Sequence, residues 1–323
     1  MRFSFTEDQR LFASTLRDLL SKECPATRVR AAWDDGTGHA PDAWAQVAAL
    51  GLLGLLVPEA DGGGGGDEVD LVLLLVELGR TGVPGPVIEH AAIVAPALAG
   101  TPWARQVAAG ELVATAWLDG PYVPHAGVAD LILTPEGVLE GCSSTEVEAL
   151  DGGRRLFVVD AAPPIAVAGL DVELARVRGA LAAAAVLIGL AARLIELAAD
   201  HARQRHQFGR PIGSFQAVKH LLANALVKME FAQPAVERAA WSVATRQPTR
   251  ARDVSMAKAL ASEAALQSAR AAIQVHGAMG YTWECDVQLF AKKAWALAAA
   301  HGDARFHRRR VADAVLGPRP LRF

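Results

Sequence analysis

The spacing of apolar residues divides the chain into three stretches. The first and last have helical periodicity, and the middle has short apolar segments. The opening helix is predicted to begin after Thr6, because its hydroxyl can cap the helix while Gln9 completes a capping box. One apolar face of this helix then comprises Leu11, Phe12, Leu16, Leu19 and Leu20. Further helices are predicted over Asp42–Leu50, Val69–Leu78 and Pro86–Leu98.

A run of glycines, Gly62–Gly66, follows the apolar segment Leu55–Glu59. Glycine-rich loops can cradle phosphate, but no clear strand precedes this run and no Lys-Ser/Thr pair follows it. The pattern therefore favours a flexible linker turn within a small N-terminal helical domain, residues 1–105.

The spacing of apolar residues changes near Gly110. From there, glycine, proline and aspartate break the chain into short apolar segments. This pattern is typical of strands and predicts a small β domain over residues 106–171. The predicted segments are Leu112–Leu118, Leu131–Leu133, Val138–Glu140, Glu146–Leu150, Leu156–Val159 and Ile165–Val167.

Residues 172–323 return to helical spacing and are rich in alanine, which has the highest helix propensity and permits close packing. Only short breaks interrupt this pattern, and long helices joined by short loops predict a four-helix bundle. The four predicted helices are Leu174–Arg205, Ser214–Thr245, Asp253–Gly277 and Val287–Val315.

Composition narrows the possible functions. Hydrophobic residues make up 52% and charged residues 21% of the 323 positions, enough for a substantial core. The formal net charge of −3 gives no reason to expect nucleic acid as a partner. The chain begins without a signal-peptide pattern, and its longest apolar runs do not demand a membrane span. The three cysteines are far apart, which argues against a metal or disulfide framework and favours the cytoplasm.

Two segments carry the most specific signal: Arg205–Gln216, which reads RHQFGRPIGSFQ, and Ile273–Thr282, which reads IQVHGAMGYT. Together they resemble the C-terminal half of acyl-CoA dehydrogenases, which use FAD to oxidise an acyl thioester to the 2,3-enoyl thioester. Gly51–Glu59 also resembles the N-terminal segment of that family. The resemblance covers most of the chain and implies a mainly α fold. In that fold an N-terminal helical domain, a small β domain and a C-terminal four-helix bundle follow one another.

The resemblance also implies a cofactor site. In the family, this part of the bundle reaches across a subunit interface to the FAD of a neighbouring subunit. Arg205 would then pair with the FAD diphosphate, because a guanidinium fork suits that group. The remaining cofactor-binding residues by this resemblance are Gln207, Phe208, Gln274, Gly277 and Ala278. Without the resemblance, Arg205 would be interpreted as an exposed charge at a helix end, and Phe208 and Phe215 as core; for Phe215 the core remains the better interpretation.

The middle of the chain departs from the family pattern. Family members that hold the flavin ring carry a characteristic loop in the first β segments, whereas this chain has Ala114–Pro121, in which Thr115 alone remains. We therefore expect no flavin ring in the β domain of this chain.

The catalytic base is the second departure. Desaturation needs a carboxylate that removes the α-proton. The two positions that carry this glutamate in the family fall on His301 and Gly179, and the arginine after the second position is replaced by Ala180. No catalytic carboxylate is therefore predicted.

Two other residues remain candidates for a relocated base. His301 is a conceivable base because an imidazole titrates near neutrality, but the favoured interpretation is a surface or interface histidine beside His307 and Arg308–Arg310. Glu263 lies at neither family position, and its pattern favours a solvated or ion-paired side chain. The basic cluster is too short for nucleic-acid binding and favours a solvated helix face or a partner contact.

These features lead to three hypotheses. The first is the short, non-catalytic subunit of a heteromeric (α2β2) enzyme, similar to actinobacterial acyl-CoA dehydrogenases that act on steroid side-chain CoA esters. A catalytic partner subunit would supply the base and the flavin-ring site, and an electron-transferring flavoprotein is the usual acceptor in the family. The second is a homomeric enzyme with a relocated base, and the third is a scaffold that kept the fold without FAD.

Overall fold

The computed structural model describes residues 4–160 and 163–317, so the outermost ends of the predicted N- and C-terminal domains lie outside the described residues. The described part of the chain is mainly helical, with one β region in the middle, which confirms the predicted fold class. Its helices are α1 (Glu7–Glu23), α2 (Ala26–Asp34), α3 (Pro41–Ala49), α4 (Glu68–Thr81), α5 (Ile88–Ala97), α6 (Ala104–Ala108), α7 (Val172–Gln204), α8 (Gln216–Ala244), α9 (Arg250–His276), α10 (Val287–Ala299) and α11 (Ala304–Leu316).

The start of α1 forms the predicted capping box, in which Thr6 caps the helix and the Gln9 side chain accepts from the Thr6 amide. The Gln9 side-chain amide also donates to Asp70 Oδ1 at 2.7 Å. Asp70 in turn completes the capping box of α4 with Asp67. The N-termini of α1 and α4 are therefore joined through one glutamine side chain. Leu11, which the periodicity places on the apolar face of this helix, is 64% exposed and does not pack into the core.

The glycine run Gly62–Gly66 is not a flexible linker. Its backbone amides bond to the chain just before it, including Gly64 N to Gly54 O at 3.0 Å. A β-carbon added to Gly63 would lie 2.2 Å from Val57 O, so no other residue fits there. The glycines therefore allow close backbone packing, and that packing fixes the loop.

The β region contains two small sheets in the described residues. One has the order β1–β3–β4, with β1 parallel to β3, and the other has the order β2–β6–β5. Ile132 and Phe157 belong to the apolar cluster between the sheets. The strands are β1 (Ala114–Ala116), β2 (Val123–Pro124), β3 (Leu131–Thr134), β4 (Gly137–Glu140), β5 (Ser143–Val147) and β6 (Leu156–Asp160).

Three strand predictions need correction. β2 was not predicted, and β5 begins before the predicted segment Glu146–Leu150. The predicted last strand is reduced to an isolated bridge between Ile165 and Val138. These short edge segments lack a periodicity that the sequence alone could reveal.

The C-terminal part is organised around α7, which is buried along most of its length. It is apolar and long enough to cross a membrane by length and composition, but 78% of its most apolar window is buried inside the protein. Helix α7 crosses α4 closely at a glycine pair: a β-carbon on Gly189 would lie 1.9 Å from Val76 O, and one on Gly79 would lie 2.2 Å from Val186 O. The core helix is thus fixed against the N-terminal helices.

Five helices, rather than the predicted four, form the C-terminal part within the described residues. The predicted helix Val287–Val315 is broken between α10 and α11. His301 and Gly302 have φ of 54° and 89°, and the Asp303 side chain caps α11. The break is a sharp turn, and His301 lies in it.

Candidate active-site cavity and cofactor cradle

A cavity of about 840 Å³ lies between the β region and the C-terminal helices. Its walls are mainly apolar and contain many alanines, so the volume suits a bulky apolar group. Ion pairs lie among its lining residues, between Arg176 and Asp119 (3.1 Å) and between Arg310 and Glu173 (2.7 Å). Apolar wall residues include Ile93, Leu118, Tyr122, Leu156, Ala180, Ala296, Ala299 and Phe306.

His301 also lines this cavity, and 15% of its side chain is exposed. Its Nε2 lies 3.5 Å from Glu89 Oε1, is sealed from solvent and has no well-formed hydrogen bond among the described residues. The other ring nitrogen faces α7: a β-carbon added to Gly179 would lie 2.8 Å from His301 Nδ1. The two positions at which the family carries its base therefore meet at one point of the fold.

Glu89 is a buried carboxylate beneath the imidazole, with 2% of its surface exposed. Its Oε1 accepts from Arg154 Nη2 at 2.7 Å. Burial by itself raises the pKa of Glu89, but Arg154 and His301 together hold that pKa well below its usual range. Glu89 is therefore ionised at neutral pH.

Burial lowers the pKa of His301, and this effect exceeds the opposing influence of the Glu89 carboxylate. The imidazole is therefore neutral at neutral pH, with one nitrogen protonated and the other an acceptor. Because Nε2 faces the carboxylate, the proton belongs on Nε2 and the lone pair on Nδ1.

A second layer of charge lies behind Glu89. Lys293 Nζ donates to Val83 O at 3.0 Å and lies 3.9 Å from Asp151 Oδ2. Burial lowers the pKa of the adjacent His125 to about 3, so this imidazole is neutral. The two cations, Arg154 and Lys293, balance the two carboxylates, and the base of the cavity carries little net charge.

Lys258 fixes the turn that carries His301. It is fully buried, and its Nζ donates to Ala298 O at 3.2 Å and to Gly302 O at 3.0 Å. Ser262 Oγ is a third partner at 3.2 Å. The bond to Ala298 O satisfies a carbonyl that the end of α10 leaves without an intrahelical partner, and the bond to Gly302 O holds the turn that follows.

Glu263 is not a base for this cavity. Its carboxylate pairs with Arg308 on α11 and does not line the cavity, as the ion-paired interpretation predicted. Glu89, Arg154 and Lys258 were missed by sequence reasoning, because nothing in a single sequence marks a buried charge whose partner is distant along the chain.

A second group of functional candidates lies at the C-terminal ends of α7 and α9. Arg205 ends α7, is exposed, and its side chain makes no hydrogen bond or ion pair with the rest of the described chain. It leads into a hairpin of β7 (His206–Gln207) and β8 (Arg210–Pro211). The guanidinium is therefore free for an external anion.

Phe208 lies at the tip of this hairpin. It has φ of 53° and is 91% exposed, so it is not a core residue. Its ring lies 6.1 Å from that of Phe215 in an edge-on arrangement, and the Arg210 guanidinium lies 4.2 Å from the Phe215 ring. Phe215 is half-buried, in keeping with its predicted packing role.

The second segment ends α9. Gln274, Gly277 and Ala278 are exposed there, and Gly277 has φ of 62° with open space where a side chain would be. The His201 and His276 rings stack at 4.2 Å, which joins the ends of α7 and α9. The two sequence motifs therefore meet at one end of the helices, as a cradle open to the outside.

Models of two domains of one protein family together match most of the chain. The acyl-CoA dehydrogenase N-terminal domain matches residues 6–113, and the acyl-CoA dehydrogenase C-terminal domain matches residues 172–316. The chain belongs to the acyl-CoA dehydrogenase family. It is thus an oxidoreductase by family and fold, and FAD is the family cofactor.

Relatives of similar length support this assignment. Acyl-CoA dehydrogenase IpdE2 of Mycolicibacterium smegmatis is 33% identical over 95% of this chain and 98% of its own length. IpdE2 of Mycobacterium tuberculosis is 30% identical, with 93% and 92% covered. A chain of the ChsE4–ChsE5 complex from Mycobacterium tuberculosis shares the fold, with a TM-score of 0.87, 23% identity, and 99% and 100% covered. A chain of the steroid ACAD Tcur3481–Tcur3483 does so with a TM-score of 0.86, 24% identity, and 96% and 98% covered.

The residues present fit one half of an FAD better than the other. The end of α7 and α9 offers a free guanidinium, an exposed ring and open backbone at Gly277. By contrast, Thr115 is fully buried and its hydroxyl donates to Pro124 O at 2.7 Å, so it is not available to a flavin ring. Acyl-CoA dehydrogenase chemistry in this chain alone would thus lack that contact.

Proposed function

We propose that this chain is a subunit of an FAD-dependent acyl-CoA dehydrogenase and contributes the adenine and diphosphate side of an FAD site. A catalytic partner subunit supplies the flavin-ring site and the base, in an assembly of two copies of each chain. The observation that carries this proposal is the free Arg205 guanidinium at the end of α7, where the chain enters the hairpin that exposes Phe208 at its tip. Neither family position of the base, His301 or Gly179, holds a carboxylate.

In this assignment each cradle residue has its own role. Arg205 binds the diphosphate with charge-assisted hydrogen bonds, and Phe208 covers the adenosine side. Gln207 and Gln274 offer amide groups, and the backbone at Gly277 and Ala278 permits close approach of the phosphates. FAD, when bound, supplies the hydride acceptor for the substrate β-carbon.

Several observations support a protein partner and a bulky CoA ester as substrate. Helix α8 exposes the apolar side chains Leu226, Val227 and Phe231, which suit a protein interface. The fold neighbours include the ChsE4–ChsE5 complex and a steroid ACAD, and the cavity of about 840 Å³ suits a bulky substrate. We assign a CoA ester, with a steroid side chain as the first substrate to test, and an electron-transferring flavoprotein as acceptor. Three free cysteines accord with the cytoplasm.

The test is flavin content after co-purification with an acyl-CoA dehydrogenase subunit encoded beside this chain. We expect one FAD per pair of unlike chains, and little or none on this chain alone. Arg205→Ala should abolish flavin retention in the complex without loss of assembly. Arg203→Ala is the matched control, because Arg203 pairs with Asp200 at 2.6 Å and does not belong to the cradle. Stoichiometric FAD on this chain alone would overturn the shared site.

A second candidate function is a homomeric acyl-CoA dehydrogenase with a relocated base. The position of His301 in the cavity wall favours it. It predicts yellow protein from this chain alone, bleached by an acyl-CoA substrate. A colourless complex with any partner would instead support the non-enzymatic scaffold.

A further inference from the structure

One half of the cofactor cradle lies on an exposed segment of the chain. Gly277 and Ala278 begin a short 3-10 helix, Gly277–Tyr281, which continues into the loop before α10. Within residues 277–284 only Gly280 is buried, so little of this segment packs against the core. Such a segment opens easily unless other bonds hold it. The position of the cradle backbone therefore depends on the contacts of residues 277–286, which we call the cradle loop.

A side chain from the N-terminal helices holds the cradle loop. Arg30 on α2 donates through Nη1 to Trp283 O and through Nη2 to Glu284 O at 3.0 Å. The same Nη2 donates to Asp286 Oδ1 at 2.8 Å and forms an ion pair there. Only 17% of the Arg30 side chain is exposed. One planar guanidinium thus binds two consecutive carbonyls and a carboxylate of the loop, with charge-assisted hydrogen bonds.

Aromatic contacts hold the same loop against α2. The Trp33 ring lies 6.1 Å from the Trp283 ring, and Trp33 is buried. Lys292 Nζ lies 5.4 Å from the centre of each of these rings, whose faces attract a cation. Because Trp33 follows Arg30 by three residues on α2, the two side chains lie on one face of that helix. Helix α2 therefore makes both a polar and an aromatic contact with the cradle loop.

We propose that Arg30 is a positioning residue for FAD, which acts through the cradle loop and not by contact with the cofactor. The proposal rests on the assignment of the diphosphate side of an FAD site to this chain. Other bonds of the loop are local: Thr282 Oγ1 donates to Met279 O at 3.0 Å, and Gln288 Nε2 donates to Trp283 O at 2.7 Å. The Arg30 bonds instead join the loop to a helix that is distant along the chain.

Backbone amides bind a phosphate best when they are in place before the ligand arrives. Gly277 has φ of 62° and open space where a side chain would be, so its backbone can approach a phosphate closely. A loop that becomes ordered only on binding reduces affinity, because its loss of entropy offsets part of the contacts. The other half of the cradle, at Arg205, is carried by α7 and the hairpin that follows it. Loss of Arg30 should therefore weaken the binding of FAD without abolishing it.

The test compares Arg30→Met with Arg28→Met in the complex with the partner subunit. Arg28 lies on the same helix but pairs with Asp42 at 3.1 Å, so it is a matched control for the loss of one positive charge from α2. We expect FAD to dissociate about 10-fold faster from Arg30→Met, because the lost bonds fix the loop before binding. The dissociation rate of Arg28→Met should equal that of wild type. Dilution followed by rapid gel filtration and flavin absorbance measures this rate.

Hydrogen exchange in the flavin-free complex measures the loop itself. The amides of Thr282 and Cys285 bond within the loop at 3.0 and 3.3 Å, and their exchange should accelerate about 10-fold in Arg30→Met. Arg30→Lys keeps the charge but loses the planar fork, so both rates should be intermediate. The lysine variant also carries the comparison if Arg30→Met does not assemble. A role of Arg30 in folding alone would lower the unfolding temperature and leave the FAD dissociation rate unchanged.

An FAD dissociation rate unchanged by Arg30→Met would overturn the proposal, and so would an equal increase in Arg28→Met. Faster dissociation with unchanged exchange in the cradle loop would also contradict it, because Arg30 would then act by another route. Arg205→Ala separates this proposal from the shared site. If the wild-type complex holds FAD and Arg205→Ala loses it, the shared site stands whatever Arg30→Met does. A wild-type complex without FAD would refute both.

Discussion

Gly179 and His301 face each other across the boundary between α7 and the turn before α11, so closely that a β-carbon on Gly179 would lie 2.8 Å from His301 Nδ1. The missing side chain on one helix leaves room for the imidazole on the other segment. A family member with glutamate at position 179 could not hold a histidine ring in this position. The two departures from the family are therefore linked by packing.

Gly179→Ala and Gly189→Ala should differ in their effect on stability. At position 189 the added methyl would meet the Val76 backbone oxygen at 1.9 Å, and we expect a loss of about 1–3 kcal/mol in the free energy of unfolding. At position 179 it would meet side chains of His301 and Ile93, which can move, and the gain of about 1 kcal/mol in helix propensity offsets part of the strain. Urea denaturation measures both. Equal losses would contradict the assigned contacts.

The protein should lose stability in moderate acid. Burial lowers the pKa of His90 to about 4 and that of His125 to about 3, from 6.5. Because the unfolded chain binds these protons first, the stabilisation is present above about pH 6.5 and is lost as the pH falls toward 4 and 3. The expected slope is about 1.4 kcal/mol per pH unit for each histidine.

Urea denaturation between pH 7 and pH 4.5 checks this slope. His125→Gln should flatten it, whereas replacement of the exposed His206 by Gln should leave it unchanged. A stability that is constant across this range would refute the assignment of two buried neutral imidazoles.

Lys258→Met should loosen the turn that carries His301. The substitution keeps the buried stem but removes the donors to Ala298 O and Gly302 O. Each lost bond costs about 1–3 kcal/mol, so hydrogen exchange at residues 300–303 should accelerate by about 10-fold or more. Lys292→Met is the matched control, because Lys292 lies on α10, the helix before this turn, and its Nζ lies over the Trp33 and Trp283 rings instead of bonding to the turn. Unchanged exchange at the turn would show that Lys258 does not fix it.

Phe208→Asn should separate flavin retention from folding. Asparagine tolerates the positive φ of this position better than phenylalanine, and the exposed ring contributes little to the core. We expect stability within about 0.5 kcal/mol of wild type or slightly higher. Flavin retained after gel filtration of the complex should fall. Val315→Asn, at an exposed apolar position on α11, serves as the control.

Sequence periodicity located most helices because their buried faces are long and regular. It failed at the break before α11, where the alanine-rich pattern on both sides resembles one helix. The signals were present in Gly302, which permits a positive φ, and Asp303, which caps the next helix. One continuous helix was predicted because helix propensity adds up over the many residues on both sides of the break. The glycine and the cap each contribute a signal at a single position.

The candidate site was only partly predictable. The family resemblance located His301, Gly179 and Arg205, and the fold brings the first two together. Glu89 lies in an apolar helix, and the sequence does not distinguish it there from a polar residue on a solvent-exposed face. Its partner Arg154 is distant along the chain, in the β region. A buried ion pair depends on tertiary packing, which a single sequence does not specify.

The side chain of Gln9 takes part in one helix cap and bonds to Asp70 of another at 2.7 Å. We therefore expect the first turns of α1 and α4 to fray together, because fraying of either turn removes a hydrogen-bond partner from the other. Local unfolding of the N-terminal helix should thus be transmitted to the helix that crosses α7 at the Gly79–Gly189 contact, and from there to the core of the protein.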